Sequence, residues 1–260
     1  MIETTQSNRA AADRRLTIIV PAFNEAAYIG KTLGVVTEAA ERFLDDYEII
    51  VVDDGSTDET GDIAEQFAQQ HPKIRLKRQP ANRGVGAAYF YGLSEARFPF
   101  LSLVPGDNAF TATAIRNVFA AVGSAPLIVS YRNNMTVRKP LRRILSVLCT
   151  LLMRMITGRS IRDAHSMYAF PVDIARMIVP QPGYGYHIES LGRLLCLIPH
   201  YLQVPSPLNP RPDDNSGVMR IGVVWLLGMT MLRLAAWRIA MLLRRSSAEK
   251  IVAAPSTIDI

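Results

Sequence analysis

Two stretches decide the fold: Leu16-Thr17-Ile18-Ile19-Val20-Pro21-Ala22 and Glu48-Ile49-Ile50-Val51-Val52-Asp53. Both are short, apolar and β-branched. Each runs into polar turn residues, Phe23-Asn24-Glu25 after the first and Asp54-Gly55-Ser56-Thr57-Asp58 after the second. Near-continuous apolar runs of this kind are expected of parallel strands covered on both faces. Between them, residues 26–44 carry apolar side chains at helical spacing, and residues 58–70 repeat the pattern. Further strands are expected at 74–78, 100–104 and 127–130, with helices at 84–96 and 112–122. Strands alternating with helices predict an α/β fold, an open and mostly parallel sheet flanked by helices. In such sheets ligands bind outside the carboxyl ends of the strands, and here those ends carry Pro21, Phe23, Glu25, Asp53, Asp54 and Asp107.

With 260 residues, 49% of them hydrophobic, the chain is not disordered as a whole and can bury a full core. Its net charge of +6 suggests a nucleic-acid partner until it is divided along the chain. Residues 1–130 hold 12 Lys/Arg against 16 Asp/Glu, whereas residues 131–260 hold 17 against 7. The basic stretches are interleaved with Leu, Ile and Met and offer few aromatic rings for stacking, so no nucleic acid is expected. The two cysteines, Cys149 and Cys196, build neither a disulfide framework nor a metal knuckle, which fits the cytoplasm. Residues 1–15 are polar, with no secretory signal, and are expected to be a flexible tail.

From Arg132 to Arg162 there are eight basic residues and no acidic one, wrapped around the apolar run 144–153. Residues 131–162 are therefore expected to form a basic amphipathic helix region. The proline-rich stretch 205–215 leads into a second basic, apolar helix at 218–245, so that 211–245 is linker plus C-terminal amphipathic extension and 246–260 a tail. The longest charge-free run of that helix, 221–232, has 12 residues. It falls short of the roughly 20 that a membrane span requires. Arg220, Arg233, Arg238, Arg244 and Arg245 cluster on one side of the helix, leaving a broad apolar face that includes Trp225. That pattern predicts a helix lying in the plane of an anionic cytoplasmic membrane surface, with the protein peripherally attached. The alternatives are a packed or dimer-interface helix and a tilted span, the possible protein partners being a second copy or a membrane protein.

Taken one at a time, Asp and Asn at the strand ends are equally well explained as helix caps. Together, Ile19–Glu25 (IVPAFNE), Val51–Thr60 (VVDDGSTDET) and Asn82–Ala88 (NRGVGAA) resemble, in order and spacing, the family 2 glycosyltransferases with the GT-A fold. The resemblance runs to about residue 220 and is closest to the dolichyl- and polyprenyl-phosphate sugar synthases. It implies a GT-A catalytic domain over 16–210 and a nucleotide diphosphate sugar donor. Pro21, Phe23, Glu25, Asp53 and Asp54 would line that donor, with Gly84 and Gly86 packed beside it. The Gly-x-Gly here lacks the third glycine of a dinucleotide fingerprint. The family also implies a divalent metal, Mg²⁺ or Mn²⁺, held by an Asp-x-Asp motif. This chain has Pro105-Gly106-Asp107 at that place, which leaves Asp107 as the carboxylate. Asn108 offers either a neutral oxygen to the ion or a turn.

In the second half, Ser130-Tyr131-Arg132, Arg142-x-x-x-Ser146 and the segment Arg162–Phe170 also resemble family text, with Met167 in place of a glycine. The resemblance implies that Arg132, Arg142 and Ser146 surround the acceptor phosphate, with Arg143 competing with Arg142 for that role. Guanidinium forks suit phosphate oxygens and keep their charge when desolvated. Asp163 would orient the acceptor or an arginine, or form a plain ion pair; for a hydroxyl acceptor it would be the base. His165 is expected to be an ordinary partly buried histidine, His187 and His200 lack metal spacing, and Glu189 is expected to be structural. The activity expected is an inverting sugar transfer to a lipid-linked acceptor, foremost a polyprenyl phosphate, with Asp107, Arg132, Arg142 and Asp163 as the catalytic set. A family 2 enzyme acting on a lipid or saccharide hydroxyl, and a non-catalytic nucleotide-sugar-binding protein, are the alternatives.

Overall fold

The computed structural model describes residues 13–178, 185–210 and 221–252, with side chains along the last helix described from 225 to 244. The first half alternates as expected: β1 (Arg15–Ala22), α1 (Ile29–Phe43), β2 (Asp46–Asp53), α2 (Thr60–Gln70), β3 (Ile74–Arg78), α3 (Val85–Glu95), β4 (Phe100–Leu103) and α4 (Ala112–Ala121). The second half adds β5 (Ile128–Tyr131), a 3-10 turn (Met135–Val137), α5 (Pro140–Thr157), β6 (Tyr168–Pro171), α6 (Val172–Met177), α7 (Tyr186–Leu197), β7 (Leu202–Pro205) and α8 (Ile221–Val252). Most of the N-terminal tail lies outside the described residues. Its end is already structured, since Arg15 opens β1 and the Arg14 guanidinium donates to the Phe43 carbonyl.

The strands form one sheet in the order β3-β2-β1-β4-β6-β5-β7. β1 and β2 are buried on both faces, as their unbroken apolar runs require. Side chains alternate across the strand: Leu16, Ile18 and Val20 meet Leu33, Val36 and Phe119 of α1 and α4, while Ile19 faces Tyr89 and Leu93 of α3. A Cβ on Gly92 would stand 2.2 Å from Ile19 Cδ1, so that glycine is what lets α3 lie close on β1.

β6 is the exception in direction. It runs antiparallel to both β4 and β5. The segment before it, residues 163–167, therefore arrives at the same sheet edge as the turns that follow β1, β2, β4 and β5. Sequence periodicity carries no sign of this reversal, because a strand has the same pattern in either direction.

α8 departs most from expectation. It extends to Val252 rather than ending at 245. The window Trp225–Arg244 has a mean hydropathy of 1.5 and is long and apolar enough to cross a membrane by length and composition. The charge-free run still ends at Arg233, and the longer window reaches that length only because it admits arginines. Thr230 and Leu234 seat against Gly185, just before α7, and Gly192 within it, where an added Cβ would come within 2.1 Å and 2.3 Å of them. Arg233 and Arg238 turn towards the domain, Arg233 Nε at 3.7 Å from Glu189 Oε2 and Arg238 Nη1 at 3.5 Å from Cys196 Sγ. The outward face is apolar, with Trp225, Leu232, Ile239 and Leu243 all more than half exposed. The arginine side expected to face headgroups is thus, at Arg233 and Arg238, the side packed on the protein. Arg220 and the Arg245 side chain lie outside the described residues.

Candidate active site

The turns after β1, β2 and β4 meet in one crevice of about 200 Å³ lined by Pro21, Phe23, Glu25, Asp54, Val85 and Asp107, among others. The first two turns are laced together. Asn24, in the left-handed region at φ 55, accepts the Thr57 amide on Oδ1 at 2.8 Å, and the Glu25 amide donates to Thr60 Oγ1 at 2.7 Å. Asp54 receives the Arg83 amide on Oδ1 at 2.8 Å and the Gly84 amide on Oδ2 at 2.7 Å. Its carboxylate thus fixes the loop that opens α3, and Gly84 takes φ 83 to make that turn. Asp53 does not line the crevice. It turns inward and accepts the Ser56 amide at 3.0 Å, shaping the turn from beneath. Gly86 is buried in the first turn of α3.

Asp107 Oδ1 accepts the Ala109 amide at 2.9 Å. Asn108 sits at φ 53, and its carbonyl accepts Asn209 Nδ2 at 2.8 Å. Of its two expected roles, the geometry favours the turn. No three His, Cys, Asp or Glu side chains converge as a metal cluster among the described residues.

A second pocket, about 270 Å³, opens beside the crevice and shares Val85 with it as a wall. Arg132, Arg138, Arg142, Ser146 and His165 make its polar side, and Leu145, Tyr186, Ile188 and Leu227 its apolar side. Arg132 and Asp163 are both almost closed to solvent and form a two-point ion pair, Nε to Oδ2 at 2.5 Å and Nη2 to Oδ1 at 2.7 Å. Nη2 also donates to Ser146 Oγ at 3.1 Å. Burial by itself raises the proton affinity of Asp163, but the Arg132 guanidinium outweighs it and holds the carboxyl below the usual carboxylate range. Burial pushes His187 down to about 4, and its Nε2 lies 3.0 Å from the Ser166 carbonyl. Arg143 stands outside this pocket. One residue on from Arg142, it is rotated by about 100° and borders the exposed apolar groove of Ile144, Val147, Leu148 and Leu151.

The model of the family described as glycosyl transferase family 2 matches residues 17–170. The chain belongs to that family. It is a glycosyltransferase. An undecaprenyl-phosphate mannosyltransferase from Micrococcus luteus is 26% identical over 238 residues, which is 87% of this chain and 95% of that protein. A dolichyl-phosphate beta-glucosyltransferase from Trichomonas vaginalis is 32% identical over 184 residues, 63% of this chain and 54% of that protein. Among solved structures, glucosyl-3-phosphoglycerate synthase from Mycobacterium tuberculosis, crystallised with Mn²⁺, UDP-glucose and phosphoglyceric acid, superposes with a TM-score of 0.63. At 20% identity, covering 86% of this chain and 80% of the other, that likeness establishes the GT-A fold. The same enzyme has also been crystallised with Mg²⁺ and UDP.

Nothing in the sequence pattern singles out Val85, Arg138, His187 or Leu227 as part of this glycosyltransferase site, and His165 reads there as an ordinary histidine. Arg138 gave a faint signal as one of the eight basic residues between 132 and 162. Leu227 gave none, because α8 reaches the pocket only through its packing on α7.

Proposed function

We propose that this glycosyltransferase moves a sugar, with inversion, from a nucleotide diphosphate sugar to a polyprenyl phosphate. The shared wall at Val85 carries the reading: a carboxylate-rich crevice suited to a nucleotide sugar lies next to an arginine-rich pocket suited to a phosphate monoester. The acceptor oxygen would attack the anomeric carbon from the face opposite the leaving nucleotide. A phosphate monoester is already ionised near neutral pH, its second pKa being about 6, so it needs no base. Orientation and charge stabilisation by Arg132 and Arg142 suffice, and both are strongest in a dry, preorganised site. The apolar side of the pocket would take the first isoprenyl carbons.

Asp107 is the residue we assign to a divalent cation. Mg²⁺ commonly uses one or two protein carboxylates and completes its shell with phosphate oxygens and water, so Asp107 without the first carboxylate of an Asp-x-Asp pair fits an ion carried largely by the donor. When bound, that ion neutralises charge on the departing diphosphate.

A hydroxyl acceptor would need a base, and Asp163 is poorly suited to it. Its oxygens already accept from the Arg132 amide, Arg132 Nε, Arg132 Nη2 and the His165 amide. This observation favours the phosphate acceptor.

The outward apolar faces of α5 and α8 support attachment to a membrane surface, with Leu141, Ile144, Val147 and Met155 exposed on the first and Trp225 and Leu243 on the second. The deciding experiment supplies a panel of nucleotide sugars with short polyprenyl phosphates or with neutral lipid alcohols. Product on the phosphates alone supports the proposal, and product on the alcohols alone overturns it. Co-sedimentation with anionic vesicles at low salt tests the attachment, and failure to bind refutes it. If Asp107→Ala abolishes metal-stimulated hydrolysis of the donor, a non-catalytic binding role is excluded.

A further inference from the structure

His165 belongs to the arginine pocket without being explained by the ion pair at its side. Its backbone amide donates to Asp163 Oδ1 at 2.9 Å, which fixes the loop, while its ring lines the cavity with Arg132, Arg138, Arg142 and Ser146. Nδ1 is shut off from solvent and has no hydrogen-bond partner. The edge of the ring open to the pocket is therefore the one that bears Nε2. A neutral imidazole carries one N–H. Placing it on Nδ1 would bury an orphan donor, which folded proteins rarely tolerate, so the proton belongs on Nε2. Burial and the guanidinium groups of Arg132 and Arg138 both disfavour a second proton, and they hold the ring well below the ordinary histidine range.

Resting on the phosphate-acceptor reading, we propose that His165 binds the acceptor, donating its Nε2–H to an oxygen of the acceptor's phosphate as a neutral donor among guanidinium groups. A neutral donor orients one phosphate oxygen without adding a cation that would draw charge away from the attacking oxygen. The groups that face the ring are Arg132 from the end of β5, Arg138 before α5, Arg142 on α5, Asp163 on its own loop and His187 on α7. α3 and α8 contribute only Val85 and Leu227 to the pocket.

The test uses the full chain with a short polyprenyl phosphate. A hydrogen bond to a charged group predicts that His165→Ala raises the acceptor KM by about tenfold or more. The donor KM stays unchanged, since His165 does not line the donor crevice. His165→Gln, which keeps a neutral N–H at similar reach, restores most of the acceptor affinity. The pH profile of kcat/KM for the acceptor is the same in the wild type and in His165→Gln, because the phosphate rather than the imidazole titrates. An unchanged acceptor KM in His165→Ala overturns the assignment. So does an equal rise in the donor KM, which marks a structural role, and so does a Gln variant that fails to rescue and loses a limb of the pH profile. If the wild type uses lipid alcohols and not polyprenyl phosphate, the acceptor reading falls and takes this role with it. If it uses the phosphate and His165→Ala matches it, only the role of His165 falls.

Discussion

Arg132 Nε and Nη2 meet the two oxygens of Asp163 at 2.5 Å and 2.7 Å, with both side chains nearly sealed from water. The pair joins the end of β5 to the loop before β6 and aims the guanidinium at Ser146 and the pocket. Removing one member of a buried pair leaves the other uncompensated and costs about 3–5 kcal/mol. Asp163→Asn should therefore lower the melting temperature clearly, and should reduce transfer roughly in proportion to the misplacement of Arg132, about tenfold to a hundredfold. Donor binding should be retained. A loss of four orders of magnitude in a folded variant would instead identify Asp163 as a base.

Asp54 is the anchor of the donor side. Each of its oxygens takes one backbone amide from the loop opening α3. Hydrogen bonds to a charged group contribute about 1.5–3 kcal/mol each. Asp54→Ala should raise the donor KM by at least tenfold and leave the acceptor KM nearly unchanged, as initial-rate kinetics with both substrates varied will show.

Arg142 and Arg143 are adjacent in sequence and part company in space. Arg142→Ala should weaken the acceptor by about tenfold or more, the order expected when a charged hydrogen-bonding group is lost. Arg143→Ala should change the detergent-solution assay by less than about twofold, since surface charges contribute little individually. Its effect should appear in sedimentation with anionic vesicles.

Gly192 receives Leu234, which is fully buried. Gly192→Val should force α8 from its seat and, through Leu227, open the apolar side of the pocket. The expected readouts are faster tryptic cleavage at Arg233 and Arg238, which are half-buried against the domain in the wild type, and a raised acceptor KM with an unchanged donor KM.

His187, held neutral down to about 4, makes stability depend on pH. Below about 6.5 the unfolded chain protonates this imidazole, whereas the folded chain does not until about 4. The unfolded state binds more protons in that window, so stability falls as pH drops from about 6.5 towards 4, by at most about 3 kcal/mol from this group. Denaturant titrations at pH 7 and pH 4.5 should show the loss, and His187→Gln should flatten it.

Much of this was legible in the chain. The apolar runs before Phe23 and Asp54 specify two buried parallel strands, because only a strand covered on both faces tolerates such continuity, and the turns after them had to lie at one sheet edge. Of the six residues expected at that edge, Pro21, Phe23, Glu25, Asp53, Asp54 and Asp107, the crevice gathers all but Asp53. Asp53 was harder to read, since adjacent residues on a strand point to opposite faces and composition does not say which of two aspartates turns inward. The same limit applied to Arg142 and Arg143 on a helix.

The sequence by itself determined the parallel half of the sheet, most of its crevice and the family, because burial patterns and turn chemistry are local and survive in one dimension. The tertiary structure alone decided what the basic half does with its charge. The antiparallel entry of β6 brings Asp163 and His165 to Arg132, and Gly185 and Gly192 draw α8 inward onto α7 with Arg233 and Arg238 facing the protein. Both outcomes depend on contacts between segments tens of residues apart, where the free energy of packing outweighs the preference any single arginine has for water.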